Sequence, residues 1–228
     1  MPLLKADLHI HTSEDPQDVV FYSAVELIDM AHGLGYSVLS ITNHDHLTYS
    51  GYLRDYAKER GIVLIPGMEA TIEGRHVLLY NLDFASVDRG SLRGLRGLKT
   101  PQGLVIAPHP YYPSPKALRG LLRPNITLFD AIEFCHFYTE HLSFNRAAQR
   151  IAEECRLPMV GTSDAHQRSQ FHTTYSLIDA EPDPESIVEA VKSGRVRVVT
   201  RPLDLSFLAK INIKMAWRNQ VVKLYKRW

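Results

Sequence analysis

The sequence predicts an α/β fold, a parallel βα barrel of about seven strands. Short β-branched or aliphatic runs alternate with amphipathic stretches of helical period, the pattern of successive βα units. Five short clusters of histidine and carboxylate close strand-like runs, which places them on one rim. Chemistry in such barrels belongs at the C-terminal ends of the strands. The chain has 228 residues, long enough for one such domain with a single core.

Residues 3–10 read as the first strand. Ser23 caps a helix over residues 24–34, where Val25, Leu27, Ile28 and Ala31 recur at helical spacing and Gly33 or Gly35 stops it. Residues 37–42 form the second strand, and residues 52–60 a second helix ending at Gly61. The run 62–65 leads to Glu69, and residues 75–82 read as a strand after the Glu73-Gly74 turn. Residues 90–103, with four glycines and three Lys/Arg, read as a mobile loop. Residues 104–107 are a strand, 115–122 a short helix, 131–135 a strand, 144–155 a helix and 159–162 a strand. Asp183 caps a helix over 184–193, and 196–200 is the last strand.

Composition is ordinary for a globular protein, with 45% hydrophobic and 22% charged residues. Residues 1–11 hold one lysine and run straight into the first histidine motif, so no signal peptide is expected. No apolar run approaches the roughly 20 residues needed to span a bilayer. Cys135 and Cys155 lie in apolar contexts and read as core thiols, in keeping with a cytoplasmic location. The net charge of +1 is unevenly distributed. Residues 203–228 carry six Lys/Arg against Asp204 alone, leaving −4 for the preceding 202 residues. The expected organisation is a barrel over residues 1–202 and a basic amphipathic helix over 203–228, packed on it or extending from it.

The clusters are Asp7-Leu8-His9-Ile10-His11, Thr42-Asn43-His44-Asp45, Gly67-Met68-Glu69 with His76, Ala107-Pro108-His109-Pro110, and Thr162-Ser163-Asp164-Ala165-His166. Imidazole and carboxylate together suit two or more divalent ions such as Zn²⁺, Mn²⁺ or Fe²⁺. His9 and His11 project to one face of an extended strand and reach one metal from a rigid support. Asp7 shares that face, where a carboxylate orients an imidazole. Glu69 follows a buried run, and a carboxylate there is costly unless paired or bound to metal. His109 is aimed by prolines on both sides, and Asp164-x-His166 repeats the two-residue spacing. Taken singly, each motif has a structural reading as well. Their joint occurrence at strand ends favours a metal cluster. His136, directly after a strand, points to the same rim as a substrate contact. Arg168, Lys116 and Arg119 are candidate phosphate contacts.

The ordered set DLHIHT, ITNHD, GMEA, HVLLY, APHP and TSDAH resembles the PHP (polymerase and histidinol phosphatase) superfamily over roughly residues 5–200. The resemblance implies a distorted seven-stranded (β/α)7 barrel, a cleft with two or three divalent ions, and phosphoester hydrolysis. It implies that His9, His11, Glu69 and Asp164 bind a first metal. Glu69 would bridge to a second metal held by His76 and His109, and His44 and His166 would hold a third with an acidic residue. That acid normally follows the second histidine by five or six residues. Here those positions are Pro16 and Gln17, flanked by Asp15 and Asp18, so either aspartate is a candidate, with Asp15 preferred because Pro16 beside it fixes the loop. His166 and His44 are also the candidate proton donors to a leaving group where they do not bind metal.

The expected activity is hydrolysis of a small phosphate monoester or nucleotide by a metal-activated nucleophile. The alternatives are a nuclease or cyclic-phosphate diesterase of the same chemistry, and a metal-binding module attached by its basic tail to nucleic acid or membrane. In the tail, Leu208, Ile211, Met215, Val222 and Tyr225 share a helical face, with Trp217 and Trp228 nearby. An interfacial helix is conceivable there, and packing across the barrel is preferred. No zinc finger, helix-turn-helix or aromatic-rich RNA motif supports nucleic-acid recognition.

Overall fold

The computed structural model describes residues 3–211 and 213. Its ten strands are β1 (Leu3–Ile10), β2 (Val38–Ile41), β3 (Val63–Leu64), β4 (Gly67–Ile72), β5 (Arg75–Tyr80), β6 (Leu104–Ala107), β7 (Ala131–Phe134), β8 (Met159–Gly161), β9 (Thr174–Asp179) and β10 (Val196–Thr200). The helices are α1 (Ala24–Gly33), α2 (Gly51–Lys58), the single turn α3 (Leu95–Leu98), α4 (Asn145–Cys155) and α5 (Pro184–Lys192).

The strands form two five-stranded mixed sheets, ordered β10-β9-β1-β2-β3 and β4-β5-β6-β7-β8. This corrects the expected (β/α)7 barrel: among the described residues no barrel closes. The first sheet is parallel through β1-β2-β3, but β9 runs antiparallel to both β1 and β10. In the second sheet β4-β5-β6 is antiparallel and only β6-β7-β8 is parallel. Two strands hidden in presumed connections, β4 and β9, account for the difference. Each forms a tight antiparallel pair with its neighbour and takes the hydrogen bonds that a closing strand would need.

Where the sheets approach each other, the contact is local. A single parallel bridge joins His44 to Glu69. At the other seam the Ser176 hydroxyl accepts from Gly161 N (2.9 Å) and donates to Gly161 O (2.9 Å), replacing ladder bonds between β8 and β9. Glycine permits both approaches. A Cβ on Gly67 would lie 2.1 Å from Ser40 Oγ, and one on Gly161 would lie 2.8 Å from Tyr175 O.

The two sheets share a core in which Leu4, Ala6, Leu8 and Val38 meet Leu78, Tyr80, Ile106 and Val160 under α5. Helix α1 packs Leu27, Ile28 and Ala31 against the outer face of the first sheet, and α4 covers the second sheet with Ala148, Ile151 and Ala152. The cap of α1 is the expected Ser23, reinforced by Glu26 as a capping box. The helix expected over 115–122 is instead a pair of 3₁₀ turns, Arg119–Leu121 and Arg123–Leu128. Arg119 sits in the left-handed region (φ 48°), which interrupts any continuous helix. The stretch expected as a mobile loop carries the turns Leu92–Gly94 and Leu95–Leu98.

Residues 205–211 are helical. Leu203 and Ile211 are buried with Cys135 and Phe137, and Tyr112, Phe207 and Leu208 pack around them. Met215, Trp217, Val222, Tyr225 and Trp228 lie outside the described residues. No helix among the described residues is long and apolar enough to cross a membrane. Both cysteines are free thiols, Cys135 buried and Cys155 half-buried.

Candidate metal centre

Strand ends bring the ligand-type residues together. His9 lies near the end of β1, where pairing with β2 shifts register between Asp7 and Ile10. An irregularity of this kind re-aims side chains beside functional sites. His11 follows β1, His44 follows β2, and Glu69 lies within β4. His76 is near the start of β5, His109 follows β6, and Asp164 and His166 follow β8. Asp45, His109 and Asp164 all adopt positive φ (53°, 27° and 43°). Strained backbone of this kind persists only where the surroundings hold it, and it gathers at functional sites.

The most regular arrangement joins His9, His11, Glu69 and Asp164. His9 Nε2 lies 3.2 Å from His11 Nε2, 3.4 Å from Glu69 Oε2 and 3.3 Å from Asp164 Oδ1. His11 Nε2 lies 3.4 Å from Glu69 Oε2 and 3.3 Å from Asp164 Oδ1. Ligands at tetrahedral angles about 2.05 Å from a transition ion stand about 3.3–3.4 Å apart. Five edges of one such tetrahedron are therefore present in the side chains themselves.

Glu69 faces further imidazoles with both oxygens. Oε1 lies 2.7 Å from His76 Nδ1 and 3.1 Å from His109 Nε2, while Oε2 lies 3.1 Å from His44 Nε2. His9, Glu69 and His109 form one group whose ligand atoms lie within 4.8 Å of each other, and His44, Glu69 and His76 form another. His11, His44 and His166 make a third. His76 is buried; apart from the close approach of its Nδ1 to Glu69, its Nε2 has no hydrogen-bond partner among the described residues. The same holds for Asp164 Oδ1 and for His166 Nε2, which stands 2.9 Å from Asp18 Oδ2. Buried polar atoms without hydrogen bonds are costly, and donors converging on a shared point suit a cation.

Behind these atoms lies a layer of orienting carboxylates. Asp15 Oδ2 accepts from His11 Nδ1 (2.8 Å), His44 Nδ1 (2.9 Å) and His44 N (2.8 Å), and its Oδ1 accepts from Gln17 N and Asp18 N. Asp15 thus fixes the tautomer of two imidazoles and turns both Nε2 atoms inward, while Asp18 faces His166. Glu133, which no sequence motif singled out, is fully buried in β7. Its Oε1 accepts from His9 Nδ1 at 2.7 Å and from the Thr162 hydroxyl, and its Oε2 accepts from His109 N. Three ligand-bearing segments are tied by this one side chain. Its visible signal was a lone carboxylate in the apolar run Ala131-Ile132-Glu133-Phe134. Asp7 touches backbone instead of an imidazole: its Oδ1 accepts from His9 N and Ser163 N.

Charge is distributed accordingly. Burial opposes the charged form of His9, yet Asp164, Glu133 and Glu69 hold it well above the usual imidazole value. Burial likewise opposes the charge on Glu69, but the imidazoles of His76, His9 and His44 keep it well below the usual carboxylate range. Burial alone pushes Asp7 up to about 7, against hydrogen bonds from Ser163 and His9. His76 is held below the ordinary imidazole value by burial.

The remaining candidates stand apart from this cluster. Arg168 pairs with Glu26 at 2.7 Å on the surface. Arg119 is exposed, and Lys116 offers its carbonyl to His76 N (2.9 Å). His136 is fully buried beside Gln170, whose Nε2 lies 3.3 Å from His136 Nε2, and burial pushes it down to about 4. A cavity of about 160 Å³ opens above the ligands, lined by Asp18, His44, Glu69, His76, His109, Asp164 and His166. None of Arg168, Arg119, Lys116 or His136 lines it.

Comparison with known proteins bears on the family and the fold. A family model described as PHP-associated matches residues 143–196. The uncharacterized protein MJ1587 of Methanocaldococcus jannaschii is 32% identical over 124 residues, half of this chain and 72% of that protein. Among solved structures, a two-domain protein from Bacteroides vulgatus containing a predicted PHP-like metal-dependent phosphoesterase superposes with a TM-score of 0.68 at 22% identity. That match covers 87% of this chain and 65% of that protein, so the chain spans about two thirds of its relative. The lesion-specific endonuclease PfuEndoQ from Pyrococcus furiosus superposes with a TM-score of 0.59 at 14% identity, over 86% of this chain and 57% of the endonuclease. Residues 143–196 thus match a PHP-associated family model, and the fold is shared with PHP-like metal-dependent phosphoesterases.

Proposed function

We propose that this protein is a metal-dependent phosphoesterase that hydrolyses a small phosphate monoester or nucleotide. The observation that carries the reading is the preformed tetrahedral spacing of His9, His11, Glu69 and Asp164. These four would hold one divalent ion, Zn, Mn or Fe. His76 and His109, which face the other oxygen of Glu69, would hold a second, and His44, His166 and Asp18 a third. Bound ions of this kind make water nucleophilic near neutral pH and offset charge developing on phosphoryl oxygens.

The chain's own residues supply the rest. Glu133 and Asp15 hold protons on the Nδ1 atoms of His9, His11 and His44, so that their Nε2 atoms face the centre. His44 is engaged at both nitrogens, by Asp15 and Glu69. His166 is likewise engaged at both nitrogens, by the Asp164 carbonyl and Asp18, so either imidazole returns a proton to the leaving oxygen only where no ion takes its Nε2.

Glu69→Gln tests the reading, since it keeps the volume while removing the charge shared between sites. Metal content and p-nitrophenyl phosphate turnover should collapse together. Full metal occupancy with near-normal turnover in that variant would overturn the assignment. A diester reading draws support from the likeness to an endonuclease. Bis-p-nitrophenyl phosphate cleaved faster than the monoester would favour it over monoester hydrolysis.

A further inference from the structure

The cavity above the metal ligands has a second wall that no ligand motif accounts for. Tyr112, Ser114 and Phe137 line the cavity together with the imidazoles. Tyr112 and Ser114 belong to the connection after β6, and Phe137 to the one after β7. The Tyr112 and Phe137 rings lie 5.1 Å apart at 31°, and Phe144 meets Tyr112 edge-on at 5.7 Å. From behind, buried Leu203 and Ile211 press on Phe137 with Phe207 alongside. The Leu203 amide is tied to the Tyr138 carbonyl at 2.8 Å. The rings are therefore held by packing against one another and against Leu203 and Ile211, and both contribute apolar surface to the cavity.

We infer that Tyr112, Ser114 and Phe137 form a leaving-group subsite that takes a single planar ring. The inference rests on the phosphoesterase reading for the placement of the phosphoryl group against the imidazole wall. An ester whose phosphoryl group meets the imidazoles and carboxylates directs its leaving group away from them, toward the aromatic part of the lining. Aromatic faces at fixed angles favour a planar partner over a flexible alkyl chain. The volume of about 160 Å³ is of the order that admits one six-membered ring, and a bulkier remainder would stay in the solvent-facing mouth. Ser114 Oγ accepts from Lys116 N at 3.1 Å, which leaves its own hydrogen to donate to the leaving oxygen or a ring substituent.

The test separates the ring from the chemistry. Binding of phenylphosphonate and of methylphosphonate to the metal-loaded protein is measured by calorimetry, together with hydrolysis of phenyl and ethyl phosphate. The protein should prefer phenylphosphonate by about fivefold or more. Tyr112→Leu, at a half-buried position, should bring that ratio close to one with metal content per chain unchanged, and Phe137→Leu should do the same. Comparing phosphonates removes the intrinsic advantage of a phenolate leaving group. Equal binding of the two phosphonates, no binding of either, or a ratio untouched by both variants overturns the subsite. Ring-selective binding without hydrolysis of either ester upholds the subsite and overturns monoester hydrolysis instead.

Discussion

Glu133→Gln is the sharpest probe of the orienting layer. The carboxylate accepts from three donors, two on Oε1 and one on Oε2. A glutamine must turn its NH₂ toward one of these positions. The less costly choice faces His109 N, which loses one hydrogen bond and sets two donors against each other in a fully buried place. A lost bond near 1 kcal/mol plus an unsatisfied buried donor at 1–3 kcal/mol gives a destabilisation of about 2–4 kcal/mol. Loss of such an orienting partner weakens metal binding about 10–100-fold. One effect opposes this: removing Glu133 eases proton competition at His9. That relief is partial, because Asp164 and Glu69 also hold the His9 proton and both remain. Metal titration against a chelator, with thermal unfolding of metal-free protein, measures both quantities. Glu133→Asp, which keeps the charge and shortens the reach, should also lose affinity if orientation is the cause. A glutamine variant with unchanged affinity and melting temperature would refute the reasoning.

Asp18→Asn should lose one metal equivalent, whereas Asp15→Asn should keep the stoichiometry and bind more weakly; the reverse pattern in elemental analysis would exchange their roles. Gly161→Ala would set a Cβ 2.8 Å from Tyr175 O and 2.8 Å from Val198 Cγ1, so a loss of about 1–3 kcal/mol in denaturant unfolding is expected. Unchanged stability would show that the β8–β9 seam gives way easily. Burial opposes charge on His9, His11 and His44, but neighbouring carboxylates hold all three well above their ordinary value. Raised values make their stabilisation complete below about pH 6.5 and lost as pH climbs through the folded-state values. The melting temperature of metal-free protein should therefore fall from pH 6 to 9, while metal binding, which displaces those protons, should strengthen. A metal-free melting temperature that rises over this interval contradicts the argument.

The elements that the sequence revealed are those whose buried face is apolar. Strand β1 and helix α1 were legible to within a residue because Leu4, Ala6 and Leu8, or Leu27, Ile28 and Ala31, carry the pattern. Strand β9 was missed because its pattern is inverted. Its buried face is Thr174, Ser176 and Ile178, while Tyr175 and Leu177 are only half-buried. The polar face exists for a reason: Ser176 bonds Gly161 and Thr174 bonds Thr200. Strand β4 was hidden by Glu69 itself, which read as the end of a run and lies in the middle of an antiparallel pair. With β4 and β9 taken for connections, and β5 read as parallel to β6, a closed parallel barrel followed.

The site was more legible than the sheet because its signals are local. A histidine or carboxylate at a strand end is visible in five residues, whereas closure depends on pairings between strands far apart in the chain. The same contrast explains what the motifs could not resolve. Asp15 and Asp18 are equivalent by spacing, and they separate only through partners 29 and 148 residues away, His44 and His166. Glu133 shows the limit most clearly. It contacts His9 across 124 residues and lies in an otherwise apolar strand, so its meaning depends entirely on what folding brings to it. A buried carboxylate needs compensation wherever it occurs, and three donors from three ligand segments provide it. An unexplained acid inside an apolar strand is therefore evidence about a site before the site's other members are known.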